Sequence, residues 1–178
     1  MSPRPATTPP VGHPRRPLLG LRRKPGRLAL GVFRMPLNAY RHDAGWMLGR
    51  TFLAFTHTGR RTGQPRDAVA MVLRYDEVNR EAIICSGWGA QTDWIRNLRA
   101  GPAVNVQLGR ESFTPTHRFL TDDEGFDVVA HFRAQHPHRL RLITSIFGWG
   151  DLRDDAKVRD FVRTHPFVAF RPAAAAVA

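Results

Sequence analysis

From Thr51 onward the sequence is a succession of short apolar runs, each closed by a turn signal, and this rhythm constrains the fold most. "TFLAFTH" and "RDAVAMVLRY" flank the segment "THTGRRTGQPR" (residues 56–66), where Gly59 and Gly63 supply a hairpin turn. "EAIICS" follows a second turn at Asp76–Arg80. "PAVNVQLG" alternates, which predicts Val104, Val106 and Leu108 on one face. "ESFTPTHRFL" is expected to pair with it across Gly109–Arg110, with Pro115 marking an edge position. "HPFVAFRP" (165–172) reads as the last strand. Helices are expected from near Thr121, where Asp122, Asp123 and Glu124 suit a positive helix end, and over roughly 151–163. Six short strands with helices inserted late predict an α+β fold built on a small antiparallel β-barrel.

The flanking segments read differently. Residues 1–26 are a Pro/Arg-rich arm expected to be disordered, and 27–50 a helical segment in which Leu28, Val32 and Met35 share a face until Pro36 interrupts it. Residues 51–172 form the barrel domain, and 173–178 an alanine-rich tail. The segment 27–50 suits either a lid on the core or a basic contact with a membrane surface. The net charge of +12 is uneven. Residues 1–50 hold ten Arg/Lys against one acid, a net +9; residues 51–178 hold seventeen against fourteen, a net +3. The folded part is therefore only mildly basic, and a nucleic-acid-binding face is not expected. The single cysteine, Cys85, rules out an intramolecular disulfide framework. No run is long and apolar enough for a membrane span or a signal peptide, so the expectation is a cytoplasmic protein, peripheral at the membrane if 27–50 makes that contact.

Several familiar chemistries lack their motifs. "GRRTGQ" departs from the phosphate-loop spacing, and "GWGAQT" and "GWGDLR" lack the third glycine of a dinucleotide fingerprint. There is no Gly-x-Ser-x-Gly, Cys-x-x-Cys or His-Glu-x-x-His. His131, His136 and His138 are poorly spaced for one helical face, and they read as surface residues rather than metal ligands.

Two stretches are suited to an anion. The bend at Thr58, Gly59, Arg60, Arg61, Thr62 and Gly63 gathers guanidinium forks and hydroxyls that suit phosphate or carboxylate, although a solvated hairpin needs no ligand. In "SGWGAQTDWIRNLRAGP" (86–102), a glycine loop enters a short helix with Thr92 as N-cap, Asp93 in its first turn and Gly101–Pro102 as its stop. Trp94, Ile95 and Leu98 fall on one side of that helix, Arg96 and Arg99 on the other. Such a loop offers backbone N–H groups to an anion, or is an ordinary strand–helix junction. Only residues 66–86 separate the two stretches, so they could grip opposite ends of one elongated ligand. Phe147 and Trp149, placed in a loop beside glycines, suit either a pocket cover or core packing. His57 and Ser86, at strand ends, are candidate proton or hydrogen-bond donors.

In that order and separation, "THTGRRTGQPR" and "SGWGAQTDWIRNLRAGPAVNVQLG" resemble the deazaflavin-dependent nitroreductase family, common in actinobacteria, over about Leu28 to Arg118. The resemblance implies a split β-barrel oxidoreductase using reduced coenzyme F-420, whose flat head, phosphodiester and oligoglutamate tail make a long polyanion. It implies that Arg60, Arg61 and Thr62 bind the phosphate and tail, with Gly59 and Gly63 shaping the turn. Ser86, Gly87, Trp88 and Gly89 would line the phosphate or ring end, and Trp94 and Asn97 would hold the next helix against it. The implied chemistry is hydride transfer to a quinone, enone or nitro compound, carried by the cofactor rather than by a catalytic triad. Many members have a lysine in the glycine loop; Gly87 and Trp88 stand there in this chain. Tyr40 and Tyr75 are the only tyrosines, so nitroimidazole reduction is not carried over. Fold relatives bind flavin mononucleotide (FMN), haem or bilins, which makes these the alternative ligands. The assembly expected is a homodimer, or a monomer covered by its N-terminal segment.

Overall fold

The computed structural model describes Tyr40 and residues 45–174. The expected arm at 1–26, most of the helical segment 27–50 and the tail beyond Ala174 lie outside the described residues. Among the described residues, a 3₁₀ turn at Gly45–Leu48 precedes seven strands and four helices. The order is β1 (Phe52–Thr58), β2 (Pro65–Asp76), β3 (Glu81–Cys85), α1 (Asp93–Ala100), β4 (Ala103–Leu108), β5 (Glu111–Phe113), β6 (Pro115–Phe119), α2 (Asp122–Gln135), α3 (Pro137–Phe147), α4 (Asp155–Thr164) and β7 (Phe167–Pro172).

All strand pairs are antiparallel, in the order β5-β4-β1-β2-β3-β7-β6. The strands at the two ends, β5 and β6, are joined in sequence through Thr114 alone, so the sheet curls into a nearly closed barrel. Pro115 sits opposite Pro172 on the β6 edge, where neither needs to donate to a ladder. The expected strand "ESFTPTHRFL" is thus two strands: 111–113 pair with β4, and 115–119 cross to β7.

Alternation along the strands explains two cores. Ala82 and Ile84 of β3, and Val168 and Phe170 of β7, point into the barrel with Leu53, Phe55, Val106 and Leu108. Ile95 and Leu98 of α1 join that interior cluster, so the helix packs against the barrel core through its apolar side. Ile83, Phe167 and Ala169 point the other way, into a layer made by α2, α3 and α4. Strands buried on both faces read as continuous apolar runs, and "AIIC" and "FVAF" do.

Four details differ from the sequence expectation. Val104 is 52% exposed, while Val106 and Leu108 are buried. A register shift between Thr56 and His57 opposite β4 breaks the alternation there, and Ala103 takes the inward position. The third helix was not expected. It starts with Pro137 at its first turn, buries Leu140 and Ile143, and stops at Gly148 in the left-handed region (φ 68°). Phe147 is therefore its last helical residue, not a loop residue. The expected helix over 151–163 starts later, at Asp155, where Asp154 caps the Ala156 N–H at 2.9 Å. The helix expected from Thr121 carries a full capping box with Glu124.

The register shift gives a direct test. Val106→Ala is expected to cost about 2 kcal/mol in urea unfolding, and Val104→Ala less than about 0.5 kcal/mol. Equal losses would contradict the bulge.

Candidate functional site

The bend between β1 and β2 is closed by its own backbone. The Gly59 N–H donates to Gln64 O at 2.8 Å, and the Gly63 N–H to Gly59 O at 2.8 Å. A Cβ on Gly59 would lie 2.8 Å from Thr62 Oγ1 and 3.2 Å from Arg66 Nε and Gln64 O, so a side chain there would push the Thr62 hydroxyl aside. Gly63 has φ +66° and open space around it. Thr58 and Thr62 are exposed, and Thr62 Oγ1 accepts weakly from the Gln64 N–H at 3.4 Å.

The three arginines of this bend have different environments. Arg60 is fastened to α1: its backbone N–H and its Nη1 both donate to Asn97 Oδ1, at 3.1 and 3.0 Å. Nη1 also lies 3.3 Å from Asp93 Oδ1. Arg61 and Arg66 are exposed and make no hydrogen bond or ion pair with the described residues. One guanidinium is anchored through its Nη1, and the other two have no such anchor among the described residues.

Asn97 is not a surface residue of the helix. It is 4% exposed, and its Nδ2 lies 3.1 Å from Nδ1 of His57, which is also 4% exposed. Burial, before other causes, lowers the His57 pKa from its ordinary value. Trp94 sits half-buried against the Phe55 ring, edge-on at 5.3 Å.

The glycine loop is tied down from two sides. Ser86 is fully buried; its Oγ donates to Gly89 O at 2.7 Å and lies 3.0 Å from Thr92 Oγ1. Thr92 occupies the N-cap position, but its hydroxyl donates to Gly89 O at 3.1 Å and accepts no helical N–H. The Ala90 N–H is spent on Thr164 O at 3.2 Å. Gly89 has φ +79°, and a Cβ there would come 3.1 Å from Thr164 O. The Phe147 ring lies where a Gly87 side chain would stand, 2.9 Å from that Cβ position. Trp149 Nε1 donates to Gly87 O at 3.0 Å. Phe147 and Trp149 stack at 4.8 Å, and Trp88 meets Phe147 edge-on at 5.3 Å.

Both sequence-predicted stretches therefore meet α1, the bend along its flank and the loop at its N-terminal end. Ser86 and His57, candidate proton donors on sequence, are buried and hydrogen-bonded inside the fold. Asp93 and Trp149 gain roles that the sequence left open, one as Arg60's ion-pair partner and one as a donor to the loop. A cavity of about 120 Å³ lies elsewhere, on the outer face of β1, β2 and β4; Tyr40, Thr56, Asp67, Asn105 and Gln107 line it, with none of the predicted site residues. Among the described residues no group of three His, Cys, Asp or Glu could hold a metal ion, and no helix is long and apolar enough to cross a membrane.

The fold is that of a split-barrel protein, and its β1–β2 bend is exposed and cationic. Residues 32–141 match the model of the family described as "F420H(2)-dependent quinone reductase", and the chain belongs to that family. It is an oxidoreductase whose cofactor is reduced F-420. Arg61 and Arg66, exposed and without a side-chain partner among the described residues, fit that polyanion. Among solved structures, the chain is similar to an F-420-H2-dependent reductase (20% identity, 68% of this chain and 96% of that one, TM-score 0.45). It is also similar to a protein described as a domain-swapped dimer (18%, 76% and 99%, TM-score 0.46). A third is a pyridoxamine 5′-phosphate oxidase-related, FMN-binding protein from Nostoc punctiforme (12%, 82% and 79%, TM-score 0.38).

Burial also makes stability depend on pH. His57 and His165 are both held below 6.5, chiefly by desolvation. Well above that value both rings are neutral folded or unfolded. Below it the unfolded chain takes up protons that the folded chain resists, so stability falls as the solution becomes acid. Urea midpoints should decline from about pH 7 to pH 5, and His57→Gln should shrink the decline. An unchanged pH dependence in that variant would contradict the assignment.

Proposed function

We propose that the protein reduces an electron-poor small molecule of the quinone, enone or nitro class, with a quinone first among them. Reduced F-420 supplies a hydride, and a quinone that accepts this hydride and one proton leaves as the hydroquinone. The chain binds and orients; it does not supply a nucleophile. Arg60 and Arg61 receive the phosphate and glutamate carboxylates, with Arg66 beside them. Gly59 and Gly63 let the backbone turn tightly enough to present those forks. Gly87 and Trp88 lie toward the flat head, backed by Phe147 and Trp149. The proton comes from water, since His57 and Ser86 are both buried and paired. The observation that carries this reading is an exposed Arg61, without a side-chain partner among the described residues, beside an Arg60 already fixed to α1.

A membrane-surface contact also has support, from residues outside the barrel core. Trp46 and Met47 are 51% and 71% exposed, and the Arg110 guanidinium lies 5.2 Å from the Trp46 ring centre. An apolar pair beside cations suits an anionic interface, from which an apolar quinone could be taken.

Anaerobic titration with reduced F-420 and, separately, with FMN tests the cofactor assignment; turnover with a soluble naphthoquinone tests the acceptor. Binding of F-420, and its oxidation at the expense of the quinone, is expected. Arg61→Ala should weaken F-420 binding by about 1.5–3 kcal/mol, the scale of a charge-assisted hydrogen bond. Binding of FMN alone would defeat the reading, and an unchanged affinity in Arg61→Ala would make the bend merely solvated.

A further inference from the structure

The reading of the arginine bend as the anion site rests on surface residues, but what fixes the bend is buried. Asn97 Oδ1 takes two donors from Arg60, its backbone N–H and its Nη1. The oxygen is thereby identified, so the other end of the amide, Nδ2, faces His57 and donates. His57 Nδ1 must then be the acceptor, and the ring's proton resides on Nε2. A protonated His57 carries hydrogens on both nitrogens and offers Asn97 nothing.

We propose that His57 and Asn97 are positioning residues for Arg60: the neutral ring fixes the amide, and the amide holds the bend in the shape that receives the anionic part of the coenzyme. This deepens the function proposed above and depends on it for the ligand. The groups facing His57 are few. Arg66 and Asp67 stand on β2, Asp93 on α1 and the Thr58 backbone on β1, with the Phe55 ring at 5.9 Å. Arg66 opposes a proton on the ring, and Asp67 and Asp93 favour one. Desolvation outweighs them all and keeps the ring neutral near neutrality.

Acid therefore acts on the bend from inside. When His57 gains a proton at Nδ1, the Asn97 N–H loses its acceptor, and two N–H donors confront each other in a buried space. The amide can relieve this by rotating, which turns its nitrogen toward Arg60 and releases both Arg60 contacts. The cost falls on the one arginine whose backbone sets the direction of the bend.

Three forms of the full chain test this: wild type, His57→Phe and His57→Gln. The phenyl ring keeps the volume and removes the acceptor; the glutamine retains an oxygen that can accept and never titrates. The first readout needs no coenzyme, being hydrogen exchange at the Arg60 amide. In His57→Phe that amide should exchange about tenfold faster or more, the scale of a lost hydrogen bond; in His57→Gln it should stay near the wild-type rate. The second readout is F-420 affinity from pH 8 to pH 5. Wild type should weaken as the pH falls toward the acid end of that range, below the ordinary histidine value because burial lowers the His57 pKa; His57→Gln should lack that phase, and His57→Phe should be weak throughout. The wild-type and glutamine profiles decide the matter even if the phenylalanine variant fails to fold. Equal Arg60 exchange in wild type and His57→Phe, or the same acid phase in wild type and His57→Gln, would overturn the proposal. A wild-type protein that binds no F-420 at any pH would overturn the function reading instead, leaving the Arg60 exchange to judge the clamp.

Discussion

One buried carboxamide holds the candidate site together. Asn97 has three of its hydrogen-bonding positions occupied, and each partner comes from the strand-and-bend unit of β1 rather than from its own helix. A polar group out of contact with water must be satisfied, and leaving it unpaired costs about 1–3 kcal/mol. The amide thus dictates where the bend can lie relative to α1. The helix in turn is fixed by Ile95 and Leu98, which contribute to the barrel interior. Core packing, amide and guanidinium form one chain of dependence, from the least exposed atoms to those that can meet a ligand.

The second attachment has a different character. The glycine loop is shaped by aromatic rings of the helical layer: Phe147 fills the space a side chain at Gly87 would need, and Trp149 donates to its carbonyl. Phe147 and Trp149 belong to the layer that covers the outer faces of β3 and β7. The two candidate stretches are therefore held by separate cores, the bend by the barrel interior and the loop by the helical layer. The helix α1, with Thr92 at one end and Asn97 in its third quarter, touches both. A ligand spanning them would couple the two cores through this short helix.

Much of the fold was legible because burial repeats with the period of a strand. The continuous runs "AIIC" and "FVAF" point to strands covered on both faces, and glycine turns mark where the chain reverses. Val104 misled because a bulge is a two-strand event: adjacent Thr56 and His57 of β1 pair with Asn105 and Ala103, which leaves Val104 as the extra residue of β4. The helix Pro137–Phe147 carried its signals, Pro137 at the start and Gly148 at the stop, but its arginines and the neighbouring histidines obscured the apolar spacing. At the site, the residue types were readable and their pairings were not. Arg60 and Arg61 look identical in sequence; only the fold separates the anchored one from the available one. The resemblance gave Asn97 the part of holding the helix against a ligand; the partners of its amide, Arg60 and His57, were not readable. Such distinctions depend on residues 37 and 40 positions apart in the chain.

The central claim is that the fixed bend and the glycine loop bind different portions of one long polyanion. A crystal structure of the protein with reduced F-420 tests it most directly. Phosphate or carboxylate oxygens about 3 Å from the Arg60 or Arg61 guanidinium, with the deazaflavin ring against Gly87 and Trp88, are the predicted result. A coenzyme seated on the outer face against Tyr40, Asn105 and Gln107, with the arginine bend bare, would contradict it.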